Sequence, residues 1–134
     1  MKRLTSINYS NTAFNIGMLI LRVTSGVQIL VHGFDKLAHF ADMKSKFINF
    51  MGMGSNVSLS LTIFAEFFCG MFLTVGLFTR IAVIPLIINM SVALYMAHHL
   101  DVFGEGEKAA LYLAAFVTVL FCGPGKISVD GMIK

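Results

Sequence analysis

Apolar residues dominate four stretches of the chain, at about 13–33, 57–78, 81–99 and 109–122, and polar residues collect between them. About 20 predominantly apolar residues are needed to cross a ~30 Å hydrocarbon core as a helix. The first three stretches meet that length, and the fourth is short unless its flanking residues help. The pattern predicts four transmembrane helices. The connections at 77–80 and 100–106 are brief, which favours an antiparallel bundle. The longer connection, 34–56, spaces Phe40, Met43, Phe47, Phe50 and Met51 at helix-like intervals among Asp35, Lys36, Asp42, Lys44 and Lys46. A short interfacial helix between spans one and two fits that pattern. The fold class is therefore an all-α membrane protein, with residues 1–134 forming a single integral membrane domain.

Two ionisable residues interrupt the apolar runs. Arg22 lies near the middle of span one and Glu66 near the middle of span two. In an antiparallel hairpin, equal depth makes them natural partners. A charge at the bilayer centre costs about 2.5–3.5 kcal/mol on insertion scales, and an opposite charge inside the bundle lowers that cost. At ~100° per residue, Asn15, Met18, Ser25, Gly26, His32 and Gly33 share the Arg22 side of span one. In span two, Thr62, Cys69, Gly70 and Gly76 share the Glu66 side, while Phe64, Phe68, Met71 and Val75 occupy the opposite, lipid-suited face. The pair supports two readings, a site for proton handling or ligand anchoring and a device for helix pairing. In span three, Asn89 is expected to hydrogen-bond between helices and Pro85 to kink its helix.

Topology suggests a second cluster. Span one ends, span three ends and span four begins on the same side of the membrane. His32, Lys36, His98, His99, Asp101, Glu105 and Glu107 therefore gather near one rim. Histidine titrates near neutrality and can relay a proton or hydrogen-bond a quinone carbonyl. Interfacial anchoring explains the same rim without chemistry. No metal site is expected, because His98 and His99 are adjacent and point about 100° apart on a helix. Glu107 sits where a helix N-terminus favours negative charge.

Composition agrees with the membrane reading: 57% of residues are hydrophobic and 13% charged, against roughly 45–50% apolar in ordinary soluble domains. The net charge of +3 is spread over the ends of the apolar runs, without the clustered stripe that binds nucleic acid. Cys69 and Cys122 lie in apolar runs at different depths, so no disulfide is expected between them. Lys2 and Arg3 precede an apolar run as in a secretory signal, but Arg22 interrupts that run and no small-x-small cleavage site follows. The first span is therefore expected to remain in the mature protein. The terminus side carries Lys2, Arg3, Arg80, Lys126 and Lys134, against Lys36, Lys44, Lys46 and Lys108 opposite, a narrow excess that places the termini in the cytoplasm.

His32-Gly33-x-x-Lys36 follows an arginine-bearing first span, and Glu66 precedes Gly70 in the second. The turn Gly76-Leu77-Phe78-Thr79-Arg80, a histidine near the end of span three and the closing Gly123-Pro124-Gly125-Lys126-Ile127-Ser128-Val129-Asp130 complete the order. Together these resemble the DoxX family of small bacterial membrane proteins, over nearly the whole chain. The resemblance implies a four-helix protein of the bacterial cytoplasmic (inner) membrane linked to redox chemistry. Related proteins form the membrane subunit of a thiosulfate:quinone oxidoreductase, and others are associated with oxidative-stress defence. The positions that match are Arg22, His32, Gly33, Lys36, Glu66, Arg80, His98 or His99, Ser128 and Asp130.

The chain has no CxxC, CxxCH, GxGxxG or iron–sulfur cysteine set, so no intrinsic cofactor is expected, and electrons would pass through a bound quinone or a soluble redox partner protein. Three functions compete. The chain is a quinone-linked oxidoreductase subunit or its membrane anchor, a noncatalytic scaffold recruiting soluble oxidative-stress enzymes, or a small-solute or proton transporter, which with four spans would need a homo-oligomer.

Overall fold

The Ser10 hydroxyl accepts the Ala13 amide at 3.0 Å and starts the first helix, α1 (Asn11–Ala38). The computed structural model describes residues 4–45, 47, 52–97, 101–104 and 106–133. With 28 residues, α1 is about 42 Å long and continues past the apolar run that ends at Gly33. Its buried positions, Met18, Arg22, Ser25, Gly26, Ile29 and Gly33, recur every three or four residues. Lys36 falls on the same stripe one turn further on. Among the described residues of the interhelical connection, Phe40–Met43 forms one helical turn, α2.

The second long helix, α3, runs over Ser55–Val75 and widens into π-helical turns at Phe64–Cys69. It ends at Gly76, whose φ of 78° lets the amides of Gly76 and Leu77 turn back onto the carbonyl of Phe72 at 2.8 and 2.9 Å. This closure needs a left-handed residue, which glycine supplies without a Cβ penalty. α4 (Thr79–Val92) follows and passes into a second π-helical stretch, Ala93–Ala97. Then come α5 (Glu107–Cys122) and a short α6 (Val129–Ile133).

α1 and α3 run antiparallel and very close. A Cβ on Gly33 would lie 2.5 Å from the Phe67 amide nitrogen, and one on Gly26 would lie 3.0 Å from that of Thr74. Gly70 of α3 faces Ile29 in return. α4 packs on α3, and α5 packs on α4 and α1, closing a ring of four helices around Phe116, Ile29, Leu73, Leu86, Val83 and Val119.

Large apolar residues also cover the outside: Ile20, Phe64, Ile81, Leu111 and Phe121 are all half-exposed or more. A bundle that is apolar inside and out is suited to lipid. The expected outward face of α3 is among these residues, with Phe64, Phe68, Met71 and Val75 exposed while Cys69, Gly70 and Gly76 are buried.

Asn11–Ala38, Ser55–Val75 and Thr79–Met96 are long and apolar enough to cross a membrane. The sequence reading expected four such helices, and among the described residues three meet the criterion. α5 has 16 residues, about 24 Å, which falls short of a ~30 Å core.

Candidate functional site

Glu66 occupies the π-helical segment of α3, where a wider turn changes which side chains face the bundle. The residue is only 4% exposed. One carboxylate oxygen accepts the Lys36 ammonium from α1 at 2.6 Å, and the other accepts the Asn89 side-chain amide from α4 at 2.9 Å. Three helices thus meet on one carboxylate. Lys36 reaches it because α1 stays helical beyond Gly33 and keeps position 36 on its buried stripe. The absence of a side chain at Gly33 lets the backbone of α1 lie against Glu66 itself.

These three polar groups head a cavity of about 430 Å³ whose walls are largely apolar, including Leu61, Phe64, Pro85, Ile88 and Val92. Leu61, Phe64 and Ile88 are also exposed on the outer face of the bundle. Pro85 has no amide to offer the carbonyl of Ile81, so α4 is locally relieved of one helical bond beside the cavity.

Arg22 is not the partner of Glu66, contrary to the pairing expected from equal depth. The contacts of Gly26 with Thr74 and of Gly33 with Glu66 and Phe67 fix the register. That register places Glu66 opposite Gly33, and α1 rises about 16 Å between Arg22 and Gly33. The guanidinium, 2% exposed, instead donates to the carbonyls of Pro124 at 2.7 Å and Thr74 at 3.4 Å. It therefore holds the segment after α5 against the hairpin of α1 and α3.

Asp130 completes that end. Its carboxylate accepts the amides of Phe78 and Thr79 at 2.8 and 2.9 Å and the Thr79 hydroxyl at 2.8 Å, while its own amide donates to the Gly76 carbonyl at 2.8 Å. It caps α4 from 51 positions away in sequence. Burial pushes the Asp130 carboxyl up, but the Thr79 and Phe78 donors and the charge of Arg22 outweigh it and hold it below the usual carboxylate range. Ser128 steadies the turn, donating to Gly125 and accepting the Gly131 amide. With its hydrogen bonds satisfied, this cluster acts as a clasp.

The expected rim is described only in part. Lys36 has turned inward to Glu66. His32 is exposed on α1, with its ring edge-on to Tyr112 at a 6.1 Å centroid distance. Asp101 and Glu107 are exposed, Glu107 in the first turn of α5. His98, His99 and Glu105 lie outside the described residues. Tyr112 was not singled out from the sequence, because a lone tyrosine in an apolar helix resembles any core aromatic. Cys69 is buried, Cys122 exposed, and both are free.

A DoxX family model matches residues 17–99, well over half of the 134-residue chain. No curated protein and no solved structure matches it. The matched segment holds Lys36, Glu66 and Asn89, and so the whole three-helix carboxylate site, together with Arg22, Gly33 and Arg80, while Pro124, Ser128 and Asp130 of the clasp lie beyond it. The chain belongs to the DoxX family.

Proposed function

We propose that this protein is the membrane subunit of a quinone-linked oxidoreductase system, with the Lys36–Glu66–Asn89 cavity as its quinone site. The observation that carries this reading is a buried carboxylate with two N–H donors at the head of a largely apolar cavity. Its volume of about 430 Å³ lies within the ~300–1,000 Å³ of small-molecule sites. Lys36 has three donors and Asn89 two, so each keeps a donor for a ligand carbonyl after bonding Glu66. The apolar walls and the exposed Leu61, Phe64 and Ile88 suit a lipophilic ring entering from lipid.

Reduction of a quinone takes up two electrons and two protons. In this reading Lys36 and Asn89 orient the carbonyl, a soluble redox partner protein supplies both electrons, and both protons come from water, Glu66 passing them on one at a time to the two quinone oxygens. α5 is the fourth span, extended at its ends by flanking residues, and the termini face the cytoplasm. Redox association through the DoxX family supports the reading.

The test is quantification of quinone bound per protein in nanodisc-purified wild type and Glu66→Gln. Stoichiometric quinone in wild type, lost in a folded Glu66→Gln, is the expected result. No quinone in either protein, purified with its partners from native membranes, overturns the proposal and leaves the membrane-scaffold reading.

A further inference from the structure

The opposite end of the bundle holds a second cavity, of about 910 Å³, where α1, the start of α4 and the segment after α5 meet. Arg80 and Lys126 line it together with Asp130. The carboxylate of Asp130 is already engaged by three donors from Phe78 and Thr79. Among the described residues the ion pairs are Lys36–Glu66 and Asp35–His39, so neither Arg80 nor Lys126 has a carboxylate partner.

The Arg80 side chain and the Lys126 backbone are held in place. The Arg80 guanidinium donates to the Phe121 carbonyl at 3.3 Å. The Lys126 amide donates to the Asn15 side chain at 3.0 Å. Phe78, Ile81 and Ile133 beside the cavity are exposed at 60–68%. The turn between α3 and α4 lies here, so this is the level at which the membrane-crossing helices end. An apolar rim around two cations that have no ion-pair partner among the described residues matches, at that level, the chemistry of an anionic headgroup with its chains.

We propose that this cavity binds the phosphate of an anionic phospholipid, with Arg80 and Lys126 as its ligands and Phe78, Ile81 and Ile133 along the acyl chains. Arginine offers a planar fork matched to phosphate oxygens, and lysine adds a mobile point charge. Basic pockets at membrane ends favour anionic over zwitterionic lipids through the same electrostatics. The inference is independent of the quinone reading, since the two cavities share no lining residue.

The experiment uses the full chain in mixed micelles containing phosphatidylglycerol and phosphatidylcholine, with lipids retained on the protein counted by native mass spectrometry. Wild type is expected to retain phosphatidylglycerol over phosphatidylcholine by about tenfold or more, and Arg80→Gln/Lys126→Gln to lose that preference. The charge-preserving Arg80→Lys/Lys126→Arg should keep most of it. Should the double variant fail to fold, Lys126→Gln alone leaves the backbone bond to Asn15 intact and should still lower retention several-fold. Unchanged preference in the folded variants, or equal retention of both lipids by wild type, overturns the proposal. Protection of wild type by millimolar inorganic phosphate without any lipid preference overturns it too, assigning the site to free phosphate.

Discussion

Replacing Lys36 by methionine is the sharpest test of the three-helix carboxylate site. Methionine keeps an apolar stem of similar length and removes only the charge. Glu66 is then left 4% exposed, with Asn89 alone donating to it at 2.9 Å. Removing one partner of a buried pair costs about 3–5 kcal/mol because the remaining charge is stranded. The Lys36 side chain is 20% exposed, and the adjoining cavity can admit water, so the lower end, about 3 kcal/mol, is expected.

Glu66→Gln should cost far less, about 1 kcal/mol, since glutamine still accepts from Asn89 and Lys36 can extend its ammonium towards solvent. In the double variant no stranded charge remains. The loss should then fall about 2 kcal/mol short of the sum of the single losses. Unfolding by stepwise addition of SDS to mixed micelles, followed by far-UV circular dichroism, measures all three. A Lys36→Met loss under about 1 kcal/mol, or an additive cycle, would refute the claim that Lys36 compensates the buried carboxylate.

Two further predictions follow. Asp130 has a folded-state carboxyl below its ordinary value of 3.8, so its stabilisation is present above that pH and is lost as pH falls through the folded value; Asp130→Asn should melt lower than wild type near neutrality, and the gap should begin to narrow below about pH 4. Persistence of the full gap at pH 3 would show that the capping charge is not the cause. Gly33→Ala places a methyl group 2.5 Å from the Phe67 amide nitrogen and should cost about 1–3 kcal/mol by forcing α1 from α3, whereas Gly17→Ala meets nothing within 4 Å and should be neutral or slightly stabilising; equal effects in SDS unfolding would contradict the close crossing.

Much of the architecture could be read from the chain. Hydrophobic runs locate the long helices to within a few residues, and the small residues at 26, 33, 70 and 76 mark the close faces. The charges at Arg22 and Glu66 announce that the apolar interior holds polar groups, but matching them by depth assumes that each span is centred on the same plane. The glycine contacts set a different register, and no local pattern states how two antiparallel helices slide.

The apolar run stops at Gly33 and so places Lys36 at the rim, although the 3.6-residue stripe through 22, 26, 29 and 33 continues to it. The π-helical turn at Phe64–Cys69 has no evident signal in the sequence FAEFFC. The bonds from Arg22 to Pro124 and from Asp130 to Thr79 join residues 102 and 51 positions apart. Only the folded chain reveals them.

The presence of Arg22 in an apolar helix follows from what it closes. Chain reversal at Gly76–Phe78 leaves the first amides of α4 without helical acceptors, and a buried helix end needs such partners. Asp130 supplies them, but only if the segment after α5 folds back across the end of the bundle. That segment includes Gly123, Pro124 and Gly125, which have weak intrinsic structure. A cation buried at that depth, bonded to the Pro124 carbonyl at 2.7 Å and near the Asp130 charge, ties the segment down and balances the carboxylate. Arg22 and Asp130 therefore form one clasp at the end of the bundle, while Lys36, Glu66 and Asn89 form a separate polar group on the other side of Gly26.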